Sequence, residues 1–141
     1  MPIGPIAATP AFDIACFWNS PTRATRLRVK STSNHSAIWT VKKSGLIFLD
    51  LQQQDDFTVI VDLGDGLRER TIYVVPTMLL EAALQSDHAA YVSQPEKDGT
   101  PRKPEQGMRC IRFFGDPERR GPSFGYEAKF VGYREAWDLL R

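Results

Sequence analysis

Apolar residues along the chain gather in six short clusters that predict β-strands. Most clusters are rich in Val, Ile, Phe or Trp, several alternate with polar residues, and Gly, Pro, Asn or Ser often bound them. The predicted strands span residues 12–18, 26–32, 38–41, 57–63, 71–75 and 109–114. The fifth is apolar almost throughout, which predicts a central strand that is buried on both faces.

Two further segments predict helices. Pro76 and Thr77 precede a run of good helix-forming residues, so we expect a helix over residues 78–87 with Thr77 as its N-cap. Trp137 and Leu140 have helical spacing and predict a short amphipathic helix over residues 133–140. The pattern therefore predicts an α/β fold, with a mixed central sheet of about five strands flanked by these helices.

The remaining segments predict irregular regions within one domain over residues 1–141. Residues 1–10 contain three prolines and one glycine, and we expect them to form an irregular arm. Residues 93–107 are rich in Pro, Gly, Lys and Glu, and we expect them, like residues 115–125, to form exposed loops. At 141 residues and 42% hydrophobic content, the chain is long enough to bury a core.

The second predicted strand carries an unusual row of cations. Arg26, Arg28 and Lys30 alternate with apolar residues, which places all three on one face of the strand. No acidic residue occurs between Asp13 and Asp50, so the sequence shows no local counter-charge. Because burying an unpaired cation is costly, we expect this face to meet solvent or an anion such as a nucleic-acid phosphate.

Charge is unevenly distributed although the formal net charge is only +1. Residues 14–49 hold six Lys or Arg and no acid, whereas residues 50–90 hold eight acids and two Arg. Residues 91–141 hold ten bases and eight acids. This distribution predicts an electropositive and an electronegative surface, and a nucleic-acid ligand and plain solvation both remain compatible with it.

The start of the chain and its cysteines predict a cytoplasmic protein. Residues 1–6 lack the basic segment and apolar core of a signal peptide, and no apolar run reaches the length of a membrane span. Cys16 and Cys110 stand in unrelated contexts without CxxC spacing, so we expect two reduced thiols. We therefore expect no contact with a membrane.

Six segments occur in the order found in a known fold. They read FDIACFW, RLRVKST, IWTVKKSG, FTVIVDL, TIYVVPTMLLEAAL and YREAWDLL, and together they span most of residues 12–140. An Asp on a short strand, followed by a strand that reads x-V-K-S/T, resembles the PD-(D/E)XK nuclease fold, and the ordered set is similar to a group of small proteins with that fold. The resemblance implies a restriction-endonuclease-like core that lacks most of the N-terminal helix.

The resemblance also implies roles for two residues. Asp13 matches the first acid of the family pattern, which would ligate Mg²⁺. Lys30 matches the lysine that stabilises developing negative charge on the phosphate. Asp13 would lie on the strand beside the one that carries Lys30.

The second acid of the family pattern is missing. Arg28 occupies its position, and a guanidinium cannot ligate a metal ion. A migrated carboxylate, that is, an acid supplied from another position in the chain, would be needed to complete the site. Glu81, on the predicted helix, is the first choice, ahead of Asp62 and Asp50. The resemblance therefore implies no cofactor unless the protein is catalytic, in which case Mg²⁺ would bind at Asp13.

Three functional hypotheses follow from the sequence and the resemblance. The leading hypothesis is a nuclease-derived protein with an incomplete catalytic site, which binds nucleic acid (DNA in preference to RNA) or a nucleic-acid-handling protein through Arg26, Arg28 and Lys30. The first alternative is an active Mg²⁺-dependent DNA endonuclease with a migrated carboxylate. The second is an inhibitory or structural protein-interaction module, in which the acidic segment 50–90 contacts a partner. The sequence leaves the oligomeric state undetermined.

Other polar and aromatic residues have simpler interpretations. Arg119 and Arg120 lie in a Gly- and Pro-containing loop and predict a solvated tip, with a second phosphate contact as the alternative. His35 and His88 have no partner at metal-ligand spacing and are interpreted as surface or turn residues. The three tryptophans lie within apolar patterns, so we expect them to pack in the core rather than to stack on bases.

Overall fold

The structure of the protein is a computed structural model that describes residues 11–17, 22–64, 70–105 and 107–141. Its strands are β1 (Ile14–Cys16), β2 (Thr25–Thr32), β3 (Ser36–Trp39), β4 (Asp56–Asp62), β5 (Thr71–Pro76) and β6 (Arg109–Arg112). The predicted arm of residues 1–10 and Trp18 lie outside the described residues.

Four strands form a mixed sheet in the order β1-β2-β4-β5, which confirms the predicted α/β class with a mixed sheet. β1 and β2 are antiparallel, β2 runs parallel to β4, and β5 is antiparallel to β4. Within the described residues the sheet has four strands rather than about five, because β3 and β6 pair with each other in a separate antiparallel sheet. In the same residues β5 lies at an edge of the sheet, so its predicted central position is wrong.

The main helix, α1 (Thr77–Ser93), starts where the sequence predicts and runs further. Thr77 is not its cap: Pro76 occupies the N-cap position, and the Thr77 hydroxyl lies 2.9 Å from the Thr58 hydroxyl of β4 in the core. The helix extends past its predicted end because no Gly or Pro interrupts the chain before Pro95.

Apolar side chains pack on both faces of the main sheet. On one face the sheet packs against α1 and the β3–β6 sheet, and this first core comprises Ala37, Ile47, Phe48, Ile60, Tyr73, Val75, Leu80, Leu84, Ile111, Phe113, Tyr126 and Phe130. The second core, on the other face, comprises Leu27, Val59, Val74, Ala136 and Leu140. β5 contributes to both cores, which explains why its sequence is almost continuously apolar.

The basic face of β2, formed by Arg26, Arg28 and Lys30, turns toward the first core. In the register of β2 and β4, Arg28 lies beside Thr58 and Lys30 beside Ile60, a residue of that core. Arg28 is only 7% exposed, whereas Val29 on the opposite face is 46% exposed. The expectation that all three cations meet solvent or an anion is therefore wrong for Arg28, which is buried. On the apolar side of the strand, Val29 is exposed rather than buried.

The helix predicted over residues 133–140 does not form. Two short 3-10 helices, Val131–Tyr133 and Trp137–Leu140, flank a segment in which Glu135 has a φ of +52°. A residue in the left-handed region cannot continue a right-handed helix, and the Glu135 N–H donates instead to the Ile72 carbonyl of β5 at 2.9 Å. Contact with β5 thus overrides the helical spacing of this segment.

The two described tryptophans differ in their surroundings. Trp39 is partly buried and packs against the first core, as predicted. Trp137 is 42% exposed, and its indole N–H donates to the Glu135 carboxylate at 2.6 Å. The predicted core position of Trp137 is therefore wrong, whereas Leu140 is buried in the second core.

The segments after α1 are mostly irregular. Residues 94–105, all described, contain no helix or strand. Beyond β6 the chain forms the single exposed turn α2 (Pro117–Arg120), in which the Asp116 carboxylate caps the Glu118 N–H, and then α3 (Tyr126–Lys129). These segments lie beside the second half of α1 and bound the cavity described below.

Candidate anion-binding site

Arg28, one of the cations predicted to bind phosphate, is buried in an ion pair with Asp56. Its Nε lies 2.9 Å from Asp56 Oδ1 and its Nη2 lies 2.8 Å from Oδ2. Other N–H groups donate to the backbone carbonyls of Ala11 and Leu49. Four of the five guanidinium N–H groups are thus used within the fold. This arrangement leaves Arg28 little capacity to bind a ligand.

The Asp56 carboxylate depends on that ion pair. Its side chain has no exposed surface. Burial alone would raise the pKa of Asp56, but hydrogen bonds from Arg28 and Thr77 and the charge of Arg28 outweigh burial, so the pKa is lowered. Asp56 is therefore ionised at neutral pH and needs Arg28 as its counter-charge.

The other two cations of the basic face also have partners. Arg26 Nη1 lies 2.8 Å from the Asp50 carboxylate and 3.1 Å from its backbone oxygen. Lys30 Nζ lies 5.6 Å from the centre of the Trp39 ring. The absence of an acid close in sequence is therefore misleading, because Asp50 and Asp56 approach β2 from later segments of the chain. The premise of a cationic face without counter-charge is therefore wrong for Arg26 and Arg28, whereas the neighbour of Lys30 is an aromatic ring.

Asp13 lies at the edge of the main sheet beside β2. Its backbone N–H donates to the Leu27 carbonyl at 2.9 Å, and its carboxylate accepts the Val29 N–H at 2.7 Å. Both contacts extend the ladder between β1 and β2. The residue is thus beside the strand that carries Lys30, as expected, and its exposed carboxylate is engaged with the backbone of that strand.

The carboxylates considered as migrated acids lie in separate environments. Glu81 is 6% exposed, and its Oε1 accepts the Ile47 N–H at 2.8 Å, while its Oε2 is buried without a hydrogen bond. Asp50 binds Arg26, and Asp62 lies at the end of β4. Among the residues that the structure describes, no group of three or more His, Cys, Asp or Glu could hold a metal ion.

His35 and Asp62 form a pair that the sequence did not suggest. His35 Nδ1 lies 2.6 Å from Asp62 Oδ2, and the ring packs edge-on against Phe114 at 4.8 Å between centroids. Asp62 Oδ1 also accepts the Gly64 N–H at 3.1 Å. His35 has a φ of +58° in the turn between β2 and β3, so the pair ties this turn to the end of β4. Its contacts indicate a role in the fold.

The side chains that converge on a cavity lie elsewhere, between the second half of α1 and the segments on either side of β6. The cavity has a volume of about 420 Å³, within the range of small-molecule sites. We call it the arginine pocket. Its lining residues are Leu84, Asp87, His88, Tyr91, Gln94, Arg102, Gly107, Met108, Cys110, Arg112, Arg120, Gly121, Pro122 and Ser123.

Two arginines of the pocket share one aromatic ring. The Cζ atoms of Arg112 and Arg120 lie 4.7 and 4.5 Å from the centre of the Phe124 ring. Arg112 Nη1 donates to Ser123 Oγ at 2.9 Å, which orients its guanidinium. Within the described part of the chain, neither arginine forms an ion pair with a carboxylate. A ring face leaves the in-plane N–H groups of a guanidinium available, so both can bind an anion.

The third arginine anchors the long irregular segment to the end of α1. Arg102 Cζ lies 4.0 Å from the centre of the Tyr91 ring, and its Nη1 donates to the Tyr91 carbonyl at 3.1 Å. Its Nε is buried, lies 3.4 Å from Glu96 Oε1 and makes no hydrogen bond. Arg102 thus lines the pocket with Glu96 as its counter-charge, while its Nε retains unused hydrogen-bonding capacity.

Asp87 is the one carboxylate among the described residues that line the pocket. It accepts the Tyr126 O–H at 2.5 Å. Burial raises the pKa of Asp87, and the Tyr126 hydrogen bond and the charge of Lys129 offset only part of this effect. Burial also raises the pKa of Tyr126 above its usual range, and the neighbouring Asp87 adds to the shift. Positive charge therefore predominates in the pocket.

Cys110 lines the same cavity as a neutral thiol. It is 5% exposed, and burial raises its pKa although Arg112 and Ser123 act in the opposite direction. A thiol with a raised pKa is a poor nucleophile. Cys110 therefore contributes surface to the pocket rather than reactivity.

Most of the pocket was missed by sequence reasoning. Of its arginines only Arg120 was considered, together with Arg119, as a loop tip or a second phosphate contact. The available signal was the excess of bases over acids in residues 91–141. That signal does not reveal which arginines converge, because the pocket joins α1 to segments that lie far from it in sequence.

Comparison of the chain with protein-family models, with curated proteins and with solved structures found no match. The similarity to the PD-(D/E)XK fold therefore remains a prediction from its segments. In the described ranges, no helix combines the length and apolar content needed to cross a membrane.

Proposed function

We propose that the protein binds nucleic acid through the arginine pocket and does not cleave it. The observation that carries this proposal is the convergence of Arg102, Arg112 and Arg120 on one cavity whose lining includes a single carboxylate. A guanidinium presents paired N–H groups that match two oxygens of a phosphate. Nucleic acid carries such a group at every nucleotide, so it is the partner that this chemistry fits.

We further propose that the core is nuclease-derived and that its catalytic site is incomplete. Three features support this: Asp13 lies beside the strand that carries Lys30, the sheet is mixed, and β5 leads through Pro76 into α1. Arg28 stands where the second acid is expected, and Glu81 is buried against the Ile47 N–H. Without a second carboxylate beside Asp13, Mg²⁺ lacks the ligands for tight binding.

The proposal is tested by fluorescence anisotropy with labelled single-stranded DNA, duplex DNA and RNA, at about 50 and about 200 mM salt. We expect Arg120→Ala to weaken binding roughly tenfold, since it removes a charge-assisted contact. Arg119→Ala is the matched control, because Arg119 is the exposed neighbour that does not line the pocket. Equal affinity in the two variants would overturn the assignment to the pocket.

The same protein separates the alternatives. Incubation of plasmid DNA with Mg²⁺ or Mn²⁺ should leave the plasmid intact. Cleavage that is lost in both Asp13→Ala and Lys30→Ala would instead establish the endonuclease. Failure to bind any nucleic acid at low salt would refute the proposal and favour the protein-interaction module, in which residues 50–90 contact a partner.

A further inference from the structure

We propose that the arginine pocket receives the phosphomonoester at the end of a nucleic-acid strand rather than a phosphodiester within the strand. This inference rests on the proposed function and specifies which phosphate the same site binds. Three properties of the pocket support it, namely its depth, its net charge and the number of its donors.

The pocket reaches from the surface to the core. Leu84 and Cys110, which are 1% and 5% exposed, line its inner part, whereas Met108 is 58% exposed at its rim. A phosphodiester carries a sugar on both sides and must lie along a surface. A terminal phosphate has one substituent and can enter a cavity, and a cavity of about 420 Å³ also has room for the nucleotide that carries it.

The charge of the pocket matches that of a phosphomonoester. Arg102 is paired with Glu96 at 3.4 Å, and the charge of Lys129 acts on Asp87. Arg112 and Arg120 are therefore the two positive charges of the lining without a carboxylate partner among the described residues. A phosphomonoester carries a charge of about −1.5 to −2 at this pH, whereas a phosphodiester carries a single negative charge. A terminal phosphate therefore neutralises the pocket, and an internal phosphate leaves it electropositive.

The donors also fit a terminal group. A phosphomonoester has three terminal oxygens that accept hydrogen bonds, and a phosphodiester has two. Arg112 and Arg120 supply two guanidinium groups from around the Phe124 ring. Ser123 Oγ accepts a hydrogen bond from Arg112 Nη1 at 2.9 Å and so helps to orient that guanidinium. Each guanidinium carries five N–H donors, so Arg112 and Arg120 together have enough donors for three terminal oxygens.

The test uses one DNA oligonucleotide in three forms, with a 5′-phosphate, with a 3′-phosphate and with neither, each labelled on an internal base. We expect at least one phosphorylated form to bind about tenfold more tightly than the unphosphorylated form. Arg120→Ala should abolish this difference, and Arg119→Ala should preserve it. Arg112→Lys, which keeps the charge but loses the planar fork, should reduce the difference.

The outcomes distinguish this inference from the proposed function. If all three forms bind equally and Arg120→Ala weakens them equally, the inference fails and the proposed function stands. If no form binds, both fail. Thermal unfolding of each variant shows whether a loss of binding reflects unfolding, which is not expected for Arg120 because its side chain lies on an exposed turn.

Competition separates a strand end from a free nucleotide. Adenosine 5′-monophosphate should displace the phosphorylated oligonucleotide, whereas adenosine should not. Displacement by neither compound overturns the pocket as a phosphomonoester site. Tighter binding of adenosine 5′-monophosphate than of the phosphorylated strand overturns the strand end as the ligand and assigns the pocket to a free nucleotide.

Discussion

The basic face of β2 and the arginine pocket each carry three cations, but the cations have different partners. On β2 the two arginines bind carboxylates, and four N–H groups of Arg28 donate hydrogen bonds within the fold. In the pocket, Arg112 and Arg120 lie over the Phe124 ring without an ion pair among the described residues, and Arg102 lies over the Tyr91 ring and also pairs with Glu96 at 3.4 Å. A carboxylate takes both the charge and the donors of an arginine, whereas a ring holds it in place and leaves its in-plane donors available.

This difference decides which region is stabilising and which can bind a ligand. The ion pair of Arg28 with Asp56 is closed to solvent, with side-chain exposures of 8% and 0%. Arg120, by contrast, lies on an exposed turn beside the cavity. The number of cations in a segment is therefore a poor guide to an anion site, and the position of the nearest carboxylates in space is a better one.

The largest expected effect comes from breaking the buried ion pair. Arg28→Ala leaves the Asp56 carboxylate buried without its counter-charge, and we expect the free energy of unfolding to fall by about 3–5 kcal/mol. Urea denaturation followed by circular dichroism measures the change. Arg28→Lys should lose less, because it keeps the charge but not the bidentate contact. A loss below about 1 kcal/mol in Arg28→Ala would show that the pair is not structural.

The next effect concerns binding and compares the two regions directly. Arg112→Ala combined with Arg120→Ala should weaken binding to a 5′- or 3′-phosphorylated single strand by about 2–3 kcal/mol, with a smaller salt dependence. Arg26→Ala combined with Lys30→Ala should change the affinity by less than about 0.5 kcal/mol, if the pocket is the binding site. Anisotropy titrations at several salt concentrations measure both variants. The opposite ranking would return the binding site to the basic face of β2.

The strands that the sequence predicted well carry strong local signals. The observed bounds of β4 and β5 differ by about one residue from the predicted ones, because runs of β-branched residues are bounded there by turn residues. The start of α1 was predicted equally well from Pro76. These features depend on residues that are neighbours in the chain, so a local pattern is sufficient to reveal them.

The features that were missed depend on contacts between distant segments. β3 pairs with β6 although the paired residues are at least 70 positions apart, and Asp56 reaches Arg28 from a different strand. Glu135 adopts its left-handed conformation where the chain bonds to β5. The candidate site belongs to this second class, because its arginines meet only after α1, β6 and α2 have packed together.

The acidic side of the pocket gives a smaller effect that depends on pH. Tyr126→Phe removes the O–H donor from the partly buried Asp87 carboxylate, and we expect a loss of about 1–2 kcal/mol in the free energy of unfolding at neutral pH. The pKa of Asp87 is already raised in the folded protein and should rise further in the variant. A group whose pKa is raised by folding contributes stability that is fully present below its pKa in the unfolded state, about 4 for Asp. That contribution is lost as the pH rises through its pKa in the folded state.

The loss of unfolding free energy caused by Tyr126→Phe, called the deficit below, should therefore be greatest at neutral pH. It should shrink as the pH falls below about 4, where Asp87 is protonated in both the folded and the unfolded state. Unfolding curves of the variant and of the unaltered protein, collected across this range, measure it. Asp87→Asn combined with Tyr126→Phe is the matched control, since a neutral amide should remove most of the pH dependence of the deficit. A deficit that is constant with pH would mean that the Tyr126 hydroxyl acts without involving the Asp87 charge.

The smallest effect is expected at the exposed end of the basic face. Arg26 binds Asp50, whose side chain is 67% exposed, and its guanidinium also lies 4.8 Å from the centre of the Phe12 ring. Because solvent screens this pair, Arg26→Ala should cost only about 0.5–1 kcal/mol, part of it from the lost contact with Phe12. Asp50→Asn, which retains that ring contact, should cost less, and raising the salt concentration should narrow the gap between Arg26→Ala and the unaltered protein. A loss of unfolding free energy close to that of Arg28→Ala would mean that Asp50 depends on its arginine as much as Asp56 does. Burial would then not explain the difference between these two ion pairs.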